Sequence, residues 1–175
     1  MPKVTFKLKY HDITHDDMKN GDGLRVVLWV AGCEHHCKDC QNPVTWNPDD
    51  GLPFTLKDRE EIFNELRKDY IAGITFSGGD PLHPSNYQAV HELMADIKRA
   101  FPDKTIWLYT GYTWEEITAR PTLYACIAPV DVLVDGRFET DLKDMTYPWA
   151  GSTNQRVIDV QKTRKEGRVI LHESN

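Results

Sequence analysis

The order of apolar and amphipathic segments predicts an α/β fold: a parallel sheet with helices packed outside it. Three observations carry that expectation. Strand-like and helix-like segments alternate four times within roughly 110 residues, which favours parallel strands joined by helical crossovers. The first run of the series, RVVLWVA from Arg25 to Ala31, is almost continuously apolar, as expected of a strand covered on both faces. Finally, each strand is followed by a segment rich in glycine, cysteine or polar residues, the composition of loops that converge at one edge of such a sheet.

The elements can be justified in turn. The opening MPKVTFKLKYHDI alternates polar and apolar residues and reads as a strand; it lacks the apolar core of an export signal. After Arg25–Ala31 comes TLKDREEIFNELRKDY, with Thr55 as N-cap and Ile62, Phe63 and Leu66 on one helical face. GITF (Gly73–Phe76) is a short strand, and PSNYQAVHELMADIKRAF is an amphipathic helix with Val90, Met94, Ile97 and Phe101 in register. TIWLY (Thr105–Tyr109) is the next strand, Thr113 caps a helix beginning WEEI, and VDVLVD (Val130–Asp135) is the fourth strand. The last segment, RVIDVQKTRKEGRVILHE, holds two alternating apolar stretches around a Lys/Gly turn and reads as a C-terminal β-hairpin. No repeat or linker interrupts the series, so residues 1–175 are expected to form one domain.

Composition narrows the function. The chain has 175 residues, 40% hydrophobic and 27% charged, with a net charge of −6 and no dense basic run, so a nucleic-acid-binding face is not indicated. No apolar run approaches the ~20 residues that span a bilayer. With no export signal, the expected location is a reducing cytoplasm, where clustered thiols point to metal or redox chemistry and not to disulfides.

Three of the four cysteines lie in GCEHHCKDCQNP, spaced Cys33-x3-Cys37-x2-Cys40. Thiolates suit zinc, copper(I) and iron–sulfur clusters. A structural zinc site is closed by four protein ligands; here a second cysteine pair is missing, and His35 or His36, each awkwardly placed between two ligands, or a distant histidine such as His83 would complete it. A four-iron cluster on three cysteines leaves one iron open to a small molecule. Both readings stand on spacing alone. His35 and His36 are expected to face solvent without a role of their own. Cys126, within the apolar YACIAPV, reads as a buried small hydrophobe. The second strand's exit, SGGDP, offers two glycines whose missing Cβ atoms permit unusual backbone angles and close approach to a ligand.

Together these segments resemble the radical S-adenosylmethionine superfamily. More narrowly, the chain is similar to the activating enzymes of anaerobic (class III) ribonucleoside-triphosphate reductases. The likeness rests on CEHHCKDCQNPVTW, the lead-in GDGLRVVLWVAGC, then ITFSGGDPLHP, IWLYTGYTWEEI, VDVLVDGRFETDLKD and WAGSTNQRVID, in that order from about Asn20 to about Asp159. It implies a radical-SAM-type fold, and the length fits a partial, open βα barrel, because a complete (βα)8 barrel needs ~250 residues. An open side would admit a protein substrate.

The resemblance also implies the site. Cys33, Cys37 and Cys40 would hold a [4Fe-4S] cluster, whose open iron is chelated by the amino and carboxylate groups of S-adenosyl-L-methionine. One-electron reduction, from a donor such as flavodoxin or ferredoxin, would cleave the C5′–S bond, and the resulting 5′-deoxyadenosyl radical would take hydrogen from a glycine of the partner reductase. Gly78 and Gly79 would receive the methionine amino group, with Asp80 beside them. Asp39, Cys40 and Gln41 would cover the adenine; family members often carry an aromatic residue where this chain has Gln41. Thr110 and Tyr112 of TGY would line the methionine or ribose end. Asp135 and Arg137 are candidates for the cofactor carboxylate or the partner, and Trp46 and Trp149 for contacts near the cleft. Rival readings are another short radical S-adenosylmethionine enzyme such as a 7-carboxy-7-deazaguanine synthase, a zinc-stabilised binding module, or a simple iron–sulfur electron carrier.

Overall fold

The structure, a computed structural model, describes residues 7–38, 40 and 43–174; the first six residues of the expected N-terminal strand lie outside them. Strands β1 (Lys9–Asp17), β2 (Leu24–Val30), β3 (Leu52–Pro53), β4 (Ile71–Gly78), β5 (Thr105–Tyr109), β6 (Val132–Asp135) and β7 (Arg156–Asp159) form one sheet in the order β3-β1-β2-β4-β5-β6-β7. The four central strands β2, β4, β5 and β6 are parallel, as expected. The outer strands β1, β3 and β7 run antiparallel to their neighbours. The edges β3 and β7 are not paired to each other, so the sheet is open.

The connecting helices are α1 (Leu56–Leu66), α2 (Tyr87–Ala100), α3 (Trp114–Thr118) and α4 (Pro121–Cys126). Thr55 and Thr113 cap α1 and α3 with reciprocal capping boxes to Asp58 and Glu116. Strand pleating sorts the side chains into two faces. Val26, Leu28 and Val30 of β2, with Ile74, Phe76, Ile106, Leu108 and Leu133, form a continuous core against Ile62, Leu66, Val90, Leu93, Met94 and Ile97 of the helices. Cys126 is buried in the same core, as its surroundings suggested.

On the other face the register aligns Val27, Thr75, Trp107 and Val132 across four strands. Near the amino ends of the strands this face is filled by Arg25, which is fully buried. Its guanidinium donates five hydrogen bonds, all to neutral oxygens: Thr75 Oγ1, Thr105 Oγ1, and the carbonyls of Asp22, Ile74 and Thr105, at 2.8–2.9 Å. Burial pulls its pKa down to about 10, still well above neutrality. Gly21 must be glycine here, with φ +129°, because a Cβ would lie 2.9 Å from both Arg25 and Trp107. The Gly-x-Gly-x-Arg lead-in is thus the seat of a buried cation.

One expectation fails. Where a C-terminal hairpin turn was expected, the chain forms helix α5 (Val160–Glu166). The Asp159 side chain caps it at the Lys162 N–H, Val160 and Thr163 bury one side, and Gly167 ends it in the left-handed conformation. The alternation in VIDV is the end of β7, and the Lys/Gly pair is a helix C-terminus. The returning segment does pair with β7 through an isolated bridge between Ile158 and Leu171, although Leu171 is exposed. It then carries His172 across Trp107, where its ring packs edge-on at 5.2 Å and Nε2 lies 2.7 Å from Asp22 Oδ2.

The Arg25 network sets a prediction. Lysine offers one ammonium where five planar donors are used, so Arg25→Lys should lower unfolding stability by about 1–3 kcal/mol and Arg25→Met by more, measured by urea denaturation. A methionine variant as stable as the parent would show that the cation contributes nothing to the fold.

Candidate functional site

The loops that leave β2, β4, β5 and β6 all emerge at the carboxyl edge of the parallel strands, and they enclose a cavity of about 620 Å³. Cys33, Cys37 and Cys40 line it together with Gly78, Gly79, Asp80 and Thr110. Most of the expected site residues that the structure describes are therefore neighbours. Asp39 and Gln41 lie outside the described residues. Tyr112 is not in the lining: its ring is buried behind the wall, edge-on to His35 at 4.7 Å, with Arg120 over its face.

The base of the cysteine loop is fixed by main-chain bonds. Gly32 N–H donates to the Thr45 carbonyl and Cys33 N–H to that of Trp46. Across the strands, Gly79 N–H donates to Val30 and Asp80 N–H to Gly32, at 2.8 and 2.6 Å. This explains the two glycines of SGGDP. Gly78 has φ +101°, and a Cβ there would lie 2.6 Å from the main chain of Val30; at Gly79 it would collide with the Gly32 carbonyl. Their smallness lets the β4 exit lie directly on the cysteine loop, besides exposing backbone to the cavity.

Asp80 is almost wholly buried. Its Oδ1 accepts from Leu82 N–H at 2.8 Å; its Oδ2 accepts from Thr110 Oγ1 and Gly111 N–H, both at 3.0 Å. The same Oδ2 lies 2.6 Å from His35 Nε2. His35 is thus not a solvent-facing residue: its side chain is 5% exposed and packs over Gly111, where a Cβ would collide with the ring. His36 is exposed, stacked on Trp46 at 4.4 Å. His83 faces Glu34 at 3.7 Å.

Asn86 was missed by sequence reasoning. It precedes α2 in the N-cap position but makes no cap; buried, it donates from Nδ2 to the carbonyls of Ala31 and Asp80. A cap-type residue after His-Pro-Ser was the available signal, and it points to a helix start, not to a brace. Asp135 is also structural: it accepts from Trp114 N–H and pairs with Arg156, while Arg137, which lines the cavity, pairs with Glu116 at 3.0 Å. Trp149 lines the cavity with its ring against Trp107.

The donor set fits a cluster. Burial pushes the Cys33 thiol up to about 11, against the pull of main-chain hydrogen bonds from His35 and His36. Cys37 is likewise raised by burial, opposed by the Phe138 main chain and the Arg137 charge. Such N–H···S contacts and a nearby cation favour thiolates once a positive centre is bound. Three thiols lining one cavity suit a polynuclear cluster, in which each would bind a different iron.

Comparison with known proteins agrees. Residues 19–158 match the family described as a 4Fe-4S single cluster domain. The chain belongs to this family. It is 43% identical over 150 residues to the anaerobic ribonucleoside-triphosphate reductase-activating protein of Enterobacteria phage T4, covering 86% of this chain and 93% of that protein. It is 41% identical over 152 residues to the protein of the same name from Escherichia coli K12, covering 86% and 97%. The Vibrio cholerae protein of that name is 41% identical over 150 residues, covering 85% and 96%. For a member of the 4Fe-4S single cluster family, the matched span holds all three cavity cysteines and every strand from β2 to β6.

The glycine contacts are testable. In the metal-free chain, Gly78→Ala and Gly79→Ala should each cost about 1–3 kcal/mol of unfolding free energy, with Gly78→Ala the worse because it adds a strained φ. Gly167→Ala, also at positive φ but with open space around it, should cost only about 1 kcal/mol. Equal losses at all three positions would show that loop contact is irrelevant.

Proposed function

We propose that this chain is the activating protein of an anaerobic ribonucleoside-triphosphate reductase and acts as a radical S-adenosylmethionine enzyme. The observation that carries the reading is the 41–43% identity, over 86% of the chain, to proteins named for that role. The shared cavity of three cysteines and the Gly78–Gly79–Asp80 turn supports it. Cys33, Cys37 and Cys40 would hold a [4Fe-4S] cluster. Bound there, the cluster would supply the one-electron reduction, with the electron from a donor protein, that cleaves the C5′–S bond of S-adenosylmethionine to methionine and a 5′-deoxyadenosyl group able to take hydrogen from a glycine of the partner.

The chain's own residues bind, orient and shield. The β4 exit, held on the cysteine loop, brings main-chain groups of Gly78 and Gly79 to the cavity next to the thiols, where the methionine end of the cofactor would lie. Thr110 lines the same wall, its hydroxyl turned to Asp80. The cofactor contact expected of Asp80 is an indirect one, since both carboxylate oxygens already serve protein donors. The exposed Met145, 84% accessible at the cavity rim, fits a macromolecular substrate better than a small one.

Anaerobic reconstitution tests the proposal. The chain should take up about four irons, and with S-adenosylmethionine, a reductant and the partner reductase it should yield 5′-deoxyadenosine and a glycyl signal in electron paramagnetic resonance. Alanine at Cys33, Cys37 or Cys40 should abolish both products, whereas Cys126→Ala should retain them. A fully loaded chain that produces no glycyl signal would overturn the assignment.

A further inference from the structure

We infer that His35 and Asp80 form a positioning pair that holds the cysteine loop in its ligand-binding shape. The inference rests on the cysteines' being cluster ligands, as proposed above. His35 lies midway between Cys33 and Cys37, so fixing it fixes the path of the chain between two of the three thiols. Its ring is held at three points: Nε2 lies 2.6 Å from Asp80 Oδ2, Gly111 packs against the ring, and the Tyr112 ring lies edge-on at 4.7 Å. Because the carboxylate oxygens accept, Nε2 carries the hydrogen and donates.

The consequence reaches the sulfur through the main chain. The main-chain groups of His35 and His36 adjoin the Cys33 thiol and oppose the upward push that burial gives it. A ring locked against Asp80 therefore also fixes the main chain that runs beside a ligand sulfur, and the polar surroundings of the sulfurs are among the main determinants of cluster potential. Asp80 in turn is held by Thr110, Gly111 and Leu82. The pair transmits the position of the β4 and β5 exits to the cysteine loop, a role like that of the outer-shell carboxylates that orient metal ligands. Neither residue touches the reacting atoms in this scheme.

The test compares His35→Ala, His35→Gln and Asp80→Asn with the parent chain. Glutamine places an amide N–H where Nε2 stands, so it should restore the contact that alanine removes. In the metal-free protein, alkylation of each cysteine by iodoacetamide is followed by mass spectrometry. His35→Ala should speed labelling of Cys33 about tenfold while leaving the core residue Cys126 as slow as in the parent, and His35→Gln should resemble the parent. After reconstitution, loss of iron to a chelator should be about 10- to 100-fold faster in His35→Ala, with a shifted resonance signal of the reduced cluster. Combining His35→Ala with Asp80→Asn should add little to either alone; if Asp80→Asn does not fold, the alanine and glutamine variants decide the matter. Parent-like labelling and iron retention in His35→Ala would overturn the inference, as would equal acceleration at Cys33 and Cys126, the mark of general loosening. A parent chain that takes up no iron would refute the proposed function, while the labelling experiment would still decide whether the pair orders the loop.

Discussion

The Asp80 carboxylate stands where the loops leaving β2, β4 and β5 meet, and the arrangement of the cavity depends on it. Four donors from three loops converge on its two oxygens. A buried carboxylate is costly unless its lone pairs are filled, and here the donors that fill them belong to the segments that must be kept together. The close approach of those segments explains why glycine stands at 79 and 111: in each case a Cβ would enter the neighbouring loop. The glycines of the site are thus demanded first by packing between loops, and the cavity is the space left over.

The two faces of the sheet explain where that space lies. On the helix side, each parallel strand contributes apolar residues to one core. On the opposite side the lower register is plugged by Arg25, Trp107 and the returning His172, while one step nearer the carboxyl edge Trp29, Ser77 and Tyr109 border the cavity. A cation with only neutral partners is an unusual plug. It works because planar guanidinium geometry matches several oxygens at once, tying β2 to β4 and β5 beneath the site.

Much of this was legible in the sequence, for physical reasons. Strands such as RVVLWVA and TIWLY carry their burial in their composition, and Thr55 and Thr113 announce helix starts because a hydroxyl cap depends only on local geometry. The cavity's membership followed from topology alone, since parallel strands deliver their exits to one edge. What could not be read depends on contacts distant in sequence. His35 looked like a loop residue because its partner lies 45 positions away, and Asn86 went unread because one carbonyl it braces, that of Ala31, belongs to a loop distant in sequence. The C-terminal hairpin failed on a competition of local signals: alternation over four residues suggested strand, but the Asp159 cap and the Gly167 terminus specify a helix.

The motif residues therefore divide by what they supply. Cys33, Cys37 and Cys40 supply sulfur; Gly78, Gly79 and Gly111 supply the absence of a side chain; Asp80, His35 and Asn86 supply the bonds that keep the first two groups in register. The third group gives the site its mechanical unity. The Gly32 carbonyl accepts from Asp80 N–H, and Asn86 braces Ala31 and Asp80 together, so the thiol-bearing loop cannot shift without moving the glycine turn beside it. A ligand contacting both would meet one preorganised surface, and the ordering of two separate loops would not have to be met from its binding energy. That preorganisation suits a cavity built on a sheet whose outermost strands, β3 and β7, do not pair with each other to close a barrel around it.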